Sequence, residues 1–219
     1  LLAQMVASRI YALYLSAQGQ SFTANSALCS GWTSSEVLQS RWGSDYAANM
    51  QRLQSLAART GQTVLLYNGQ PAAACYHAIS SGHTEASQNV WGGQLPYLCG
   101  VDSAWDKFAD GYEVTIQYSA EQVRTALEEL GLTPDDSPES WVGASTWDKA
   151  GYVRTLELCG QMVSGLDVRK ALDLRSTCFA IAWRGGQFVI TTRGYGHGVG
   201  LSQYGAKAMA EGGAGWEDI

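Results

Sequence analysis

A chain of 219 residues is long enough for one large domain or two small ones. Hydrophobic residues make up 46% and charged residues only 16%, with a formal net charge of −6. A substantial core is therefore available, and nucleic-acid binding, which rests on clustered Lys and Arg, has no basic block to use.

No apolar run reaches the length of a membrane span. The eight Trp and eleven Tyr stand against little charge. Such a composition suits a carbohydrate surface, where ring faces stack on sugar faces, and equally suits a core.

In chain order, residues 1–18 read as a helix that begins with no capping residue. The chain stops soon after Trp216. Both ends have the look of an excised domain, so the absence of targeting signals says little, and membrane attachment, if any, is expected only through a missing N-terminal segment. Residues 19–35 read as a polar loop, and 47–60 as a helix stopped by Gly61. Residues 63–67 and 71–79 flank Asn68-Gly69, the strongest short hairpin signal. Residues 112–118 alternate as a strand. Ser119 and Gln122 form a capping box opening a helix over 120–130. The stretch 133–149, rich in Pro, Asp and Ser, reads as a loop and as a candidate internal boundary or insertion. A strand over 152–159 and a short helix over 164–172 follow. A hairpin of 177–183 with 187–192 turns at Gly185-Gly186, and Ser202 caps a last helix over 203–211. Hairpins mixed with helices make the fold class α+β.

Five cysteines, Cys29, Cys75, Cys99, Cys159 and Cys178, include no CxxC pair. One or two disulfides and a set of buried reduced thiols are both open readings. Cys75, His77, His83 and Cys99 are four residues of zinc-ligand type in 25 residues, although their spacing matches no established zinc pattern.

Two segments carry candidate chemistry. In RGYGHGVGLSQYGA, Arg193 to Ala206, four glycines alternate with Tyr195, His197 and Val199. Such a run costs folding entropy and suits either a backbone lying close to a ligand, with the His197 imidazole presented among the glycines, or a flexible turn between a strand and a helix. It lacks the third glycine of a dinucleotide fingerprint and the Gly-Lys-Ser/Thr of a phosphate loop. The second segment is CYHAISSGHTEAS, Cys75 to Ser87. There Glu85 follows the small hydrogen-bonding residues Ser80, Ser81, Gly82 and Thr84. It is either an ordinary solvated glutamate or, partly covered by apolar side chains, a general acid with a raised pKa.

RGYGHGVGLSQYGAKAMAEGG resembles the signature of the stage II sporulation protein D/LytB family. LLAQMVASRIYAL, TVLLYNGQPAAACYHAISSGHTEAS, VWGGQLPYLCGVDSAWD and SGLDVRKALDLRST resemble further family segments in the family's order. The family's usual N-terminal lead-in and final short segment are missing.

The resemblance implies mixed helices and antiparallel hairpins around a cleft. It also implies peptidoglycan chemistry outside the cytoplasm, in the cell wall or at the outer face of the cytoplasmic membrane. Sporulation members are lytic transglycosylases that cut peptide-stripped glycan between N-acetylmuramic acid and N-acetylglucosamine, acting with an amidase. LytB-like relatives are modifiers of amidases, which makes a non-catalytic glycan- or amidase-binding module the alternative.

The resemblance assigns the catalytic role to Glu85. It places Ser80, Ser81, Thr84, His197, Gln203 and Tyr204 along the substrate. One carboxyl suffices if the muramoyl 6-hydroxyl closes a 1,6-anhydro ring. No second carboxylate is obvious near Glu85, and Asp102 and Asp106 are assigned to structure. No cofactor is implied; zinc at the four residues above is the exception considered. His83 stands where the family mostly has glycine. It either brings a charge toward Glu85 at low pH or tilts outward.

Overall fold

The computed structural model describes residues 1–20, 33–61 and 63–219. It has two units, Leu1–Cys75 with Gly212–Ile219, and Tyr76–Glu211. Cys29 and most of the loop expected over 19–35 lie outside the described residues.

In the first unit the opening helix, α1 (Leu2–Ala17), buries Val6, Ala7 and Ile10 along one stripe. A second helix that the sequence reading did not contain, α2 (Ser35–Trp42), starts where the Ser34 hydroxyl accepts the Val37 amide. It buries none of its residues, so no apolar periodicity announced it. α3 (Tyr46–Thr60) ends at Gly61, as expected, and packs on α1. Arg9 of α1 donates to the Thr63 carbonyl at 2.6 Å, just beyond the end of α3.

The Asn68-Gly69 hairpin is present but short: β1 (Leu66–Tyr67) pairs with β2 (Gln70–Pro71). Asn68 and Gly69 both have positive φ, the geometry that this dipeptide favours. Beyond Pro71 the Ala72 amide still donates to the Leu65 carbonyl at 2.9 Å. The expected second strand then leaves the hairpin, because the next amides turn to local carbonyls, Ala74 to Ala72 and Cys75 to Ala73, both at 2.8 Å.

The second unit begins with β3 (Tyr76–His77), followed by a short helix α4 (Ser87–Trp91). Strand β4 (Glu113–Tyr118) leads to α5 (Ala120–Glu129), and both bonds of the Ser119/Gln122 capping box form. A three-stranded antiparallel sheet follows from β5 (Val142–Trp147), β6 (Val153–Leu158) and β7 (Gln161–Ser164). The segment 133–149, expected to be loop, is therefore partly strand: ladder bonds to β6 override its Pro, Asp and Ser content. Ser164 caps α6 (Gly165–Ala171). The hairpin of β8 (Phe179–Arg184) and β9 (Gln187–Arg193) turns at Gly185-Gly186, and β4 pairs with β9 to complete a second antiparallel sheet. Last come β10 (Leu201–Ser202) and α7 (Gln203–Glu211).

The core of this unit joins α5, α6 and both sheets through Val123, Leu127, Leu156, Val168, Phe188 and Ile190. Each such side chain contributes roughly 1.5–3 kcal/mol by leaving water. Trp141 stacks on Phe188 at 5.7 Å, and its indole N–H is satisfied by Asp135 at 2.9 Å. The fold is α+β, with antiparallel sheets and helices in the same unit. Among the described residues no helix is long and apolar enough to cross a membrane.

Candidate functional site

The two segments singled out in the sequence are laced together within the second unit. β3 and β10 pair in parallel, bringing His77 opposite Ser202. Ile79 and Tyr195 exchange backbone hydrogen bonds, at 3.0 and 2.7 Å. The Glu85 amide donates to the Gly198 carbonyl at 2.7 Å, and the Tyr204 amide to Ala78. The glycines permit this closeness. A Cβ at Gly196 would meet the Cβ of His77 at 2.7 Å, and one at Gly198 would meet the Tyr152 hydroxyl at 2.6 Å. Both positions also have φ well above zero. The glycine run thus lies against His77 and Tyr152 of the protein itself.

Buried polar groups hold the serine-glycine loop. Asp106 is fully buried. It accepts from the Ser80 amide at 2.9 Å, from the Ser103 hydroxyl at 3.1 Å and from the Ser202 hydroxyl at 2.8 Å. Its role is structural, as expected. Ser81 donates its hydroxyl to the Ala150 carbonyl at 2.8 Å, and its amide to the Tyr152 hydroxyl at 3.2 Å. Ser80 Oγ accepts the Gly82 amide, and Thr84 Oγ1 accepts the Val101 amide. Ser80, Ser81 and Thr84 thus direct their hydroxyls to the loop and its supports. Gln203 and Tyr204 stand exposed at the start of α7.

Glu85 is 4% exposed. Its Oε1 accepts from the Ala86 amide and from Asn89 Nδ2, both at 2.7 Å. Its Oε2 accepts from Arg154 Nη2 at 2.6 Å. The same Nη2 also bonds Asp148 Oδ2, while Nη1 donates to the Asn89 carbonyl at 3.1 Å. Asp148 Oδ1 accepts the amides of Ala150 and Tyr152. Asp148 is therefore a second carboxylate beside Glu85, which the sequence reading did not find. It lies in the turn after β5, and Arg154 lies on β6. Asp148 falls in the stretch that the sequence reads as a loop, and nothing local pointed it at residue 85.

Burial, and then the hydrogen bond to Asp148, push the Glu85 carboxyl above the usual carboxylate range, against the pull of Asn89 and the Ala86 amide. An ion pair with an arginine of its own would act in the opposite sense. Here one guanidinium is divided between two carboxylates, so the raised direction stands.

His77 is buried, with Nδ1 bonded to the Val199 carbonyl at 3.2 Å and Nε2 unpartnered among the described residues. Its ring lies 5.7 Å from that of His197, which packs 5.1 Å from half-exposed Trp91. His197 Nδ1 accepts the Val199 amide at 3.1 Å. Burial, followed by the neighbouring His77, holds the His197 imidazole down at about 4. His83 bonds the Thr84 carbonyl through Nδ1 at 2.7 Å, and its ring fills the space a side chain at Gly100 would need.

The zinc candidates Cys75, His77, His83 and Cys99 do not converge: among the described residues no three His, Cys, Asp or Glu side chains gather as a metal site. Both histidines turn Nδ1 to backbone carbonyls. Cys75, Cys99, Cys159 and Cys178 are free thiols. Burial pushes those of Cys75 and Cys178 up to about 11.

No protein-family model matches the chain. Individual relatives do. Stage II sporulation protein D of Bacillus amyloliquefaciens is 38% identical over 86% of this chain and 54% of its own length. Its counterpart in Bacillus subtilis (strain 168) is 36% identical over the same shares. An amidase enhancer of Bacillus subtilis (strain 168) is 25% identical over 74% of this chain and 30% of its own length. The chain spans about half the length of the two sporulation relatives it matches.

Proposed function

Because the chain belongs to the stage II sporulation protein D family, we propose that it acts on the cell wall as a lytic transglycosylase of peptide-stripped peptidoglycan, with Glu85 as its proton carrier. The observation that carries this reading is the environment of Glu85: a nearly fully buried carboxyl, biased toward its protonated form, on a loop fixed by buried polar groups. A rigidly positioned acid with a raised pKa is what protonation of a leaving oxygen needs near neutral pH.

The chemistry balances with one carboxyl. Glu85 gives its proton to the glycosidic oxygen as the bond from C1 of N-acetylmuramic acid breaks. The muramoyl 6-hydroxyl oxygen then bonds to C1, and its proton returns to Glu85. The products are a free N-acetylglucosamine hydroxyl and a 1,6-anhydro end, and the enzyme is restored. Since no water is activated, the second carboxylate of a two-carboxylate glycosidase is not required. The asparagine, arginine and amide around Glu85 stabilise the carboxylate formed between the two proton transfers. Trp91 and Tyr195, each half exposed, and Tyr204 offer ring faces to sugars close to the glycine loop. The substrate places the protein outside the cytoplasmic membrane, where an amidase that strips stem peptides is its natural companion.

A second reading rests on the same carboxyl. Both Glu85 oxygens already have donors, as those of a purely structural glutamate do, and one relative is named an amidase enhancer. On that reading the chain binds glycan or an amidase without cutting. The test is digestion of peptide-free glycan strands by wild type and Glu85→Gln, with mass spectrometry of the products. Anhydro-muramoyl ends from wild type alone support the proposal. Products heavier by one water mean hydrolysis, with Asp148 the first suspect. Anhydro products from both proteins remove Glu85 from catalysis. No products from either, with glycan retained in a pull-down, favour the binding module.

A further inference from the structure

Glu85 does not meet Arg154 alone. Arg154 Nη2 touches Glu85 Oε2 and Asp148 Oδ2 together, and Asp148 is fixed by two backbone amides of its own turn. Arg154 is held in turn by the Asn89 carbonyl, and Asn89 returns a hydrogen bond to Glu85. The turn is tied to the serine-glycine loop, since Ser81 bonds Ala150 and Tyr152 bonds the His83 carbonyl. We propose that Arg154 and Asp148 are positioning residues forming a counter-ion couple, which keeps Glu85 protonated at rest and takes up its charge when the proton leaves.

The argument is one of charge counting. Side-chain exposure is 5% for Glu85, 18% for Asp148 and 28% for Arg154. One guanidinium among two ionised carboxylates leaves an uncompensated negative charge in a poorly solvated place, which is costly. With Glu85 protonated the trio is neutral. When Glu85 loses its proton, Arg154 is already within hydrogen-bonding distance of Oε2, so the new charge is met without rearrangement. Asp148 thus moderates the arginine: without it, the full guanidinium would hold Glu85 ionised and useless as an acid.

The charged and titratable groups facing Glu85 are Arg154 from β6, Asp148 from the β5–β6 turn, and the Tyr152 phenol behind them. The glycine loop meets it through the Gly198 carbonyl, and α4 through Asn89. The couple therefore makes a signed prediction. Asp148→Asn gives Arg154 to Glu85 alone and lowers the pH at which Glu85 ionises, by about one unit or more. Arg154→Gln leaves two carboxylates facing each other and raises it by a similar amount. Arg154→Lys keeps the charge and leaves the midpoint near wild type.

The inference deepens the reading of Glu85 as proton carrier, and its test is independent of turnover. The Glu85 side-chain carboxyl carbon, assigned by its loss in Glu85→Gln, is titrated by 13C NMR in wild type, Asp148→Asn, Arg154→Gln and Arg154→Lys, with melting curves to verify folding. Midpoints moving in opposite directions for Asp148→Asn and Arg154→Gln support the couple. Should Arg154→Gln not fold, a fall in Asp148→Asn with an unmoved midpoint in Arg154→Lys does so. Midpoints that stay put, or move the same way, overturn it. In the glycan digest the alkaline limb of the pH–rate profile follows the same signs, whereas a merely structural role lowers the rate at every pH. If opposite midpoints accompany normal cutting by Glu85→Gln, the couple stands and the catalytic reading fails.

Discussion

The Glu85 amide and the Gly198 carbonyl meet at 2.7 Å, so the candidate acid and the glycine signature share one backbone hydrogen bond. Any change that moves the glycine loop is transmitted to Glu85 through a contact that no side chain mediates.

The first prediction concerns Gly198. With φ of +80° and a hypothetical Cβ only 2.6 Å from the Tyr152 hydroxyl, Gly198→Ala is strained both by its backbone and by its neighbour. A loss of about 2–4 kcal/mol is expected, read as a fall in melting temperature. Tyr152→Phe relieves part of the clash. It should therefore cost less in the Gly198→Ala background than in wild type, and strict additivity would contradict this picture.

Asp106 supplies the second. Its three donors come from the serine-glycine loop, the turn before residue 106 and the entry to α7. Asp106→Asn exchanges one acceptor oxygen for an amide N–H₂ aimed at a donor. A destabilisation of about 2–4 kcal/mol is expected in urea titration, with the m-value unchanged. A change within about 0.5 kcal/mol would show that the three bonds are dispensable.

A third prediction follows from His197 and His77. His197 titrates at about 4 in the folded chain against an ordinary 6.5, so the unfolded state binds the proton more readily. Its contribution to stability is complete above about pH 6.5 and is lost as pH falls toward 4. That amounts to roughly 3 kcal/mol at about 1.4 kcal/mol per unit. Burial moves His77 the same way. Glu85, raised by burial, contributes with the opposite sign, favouring the fold at low pH. Urea melts from pH 7 to 4 should show falling stability in wild type and a shallower fall in His197→Asn. An unchanged slope would exclude His197 as the source.

Trp91 gives the fourth. It is half exposed, leans on His197, and sits on the same short helix as Asn89. If sugar rings stack there, Trp91→Ala should weaken binding of peptide-free glycan by about tenfold while leaving the melting temperature within a few degrees. Retention of full affinity would move the sugar contact elsewhere.

Local chemistry was legible in the sequence: the Ser119/Gln122 box, the Asn68-Gly69 and Gly185-Gly186 turns, and the Ser202 cap all form as read. α2 was not, because it buries nothing and so carries no apolar period. Glu85 could be singled out by its neighbours and by family resemblance. Its partners could not: Arg154 reaches it from 69 residues away, and Asp148 looks like any turn aspartate until the sheet places it. The parallel pairing of β3 with β10 has no local signature either, since two-residue strands hold too few side chains to show alternation.

That pairing has a consequence in time. β3 and β10 are the first and last strands of the second unit. As the chain leaves the ribosome, the serine-glycine loop emerges long before the glycine run that braces it. Until Ser202 follows, Glu85 lacks its Gly198 anchor and Asp106 lacks a donor. Such late, long-range closure makes for slow folding. It also means that a chain broken off during synthesis carries its candidate acid without the scaffold that gives it its pKa.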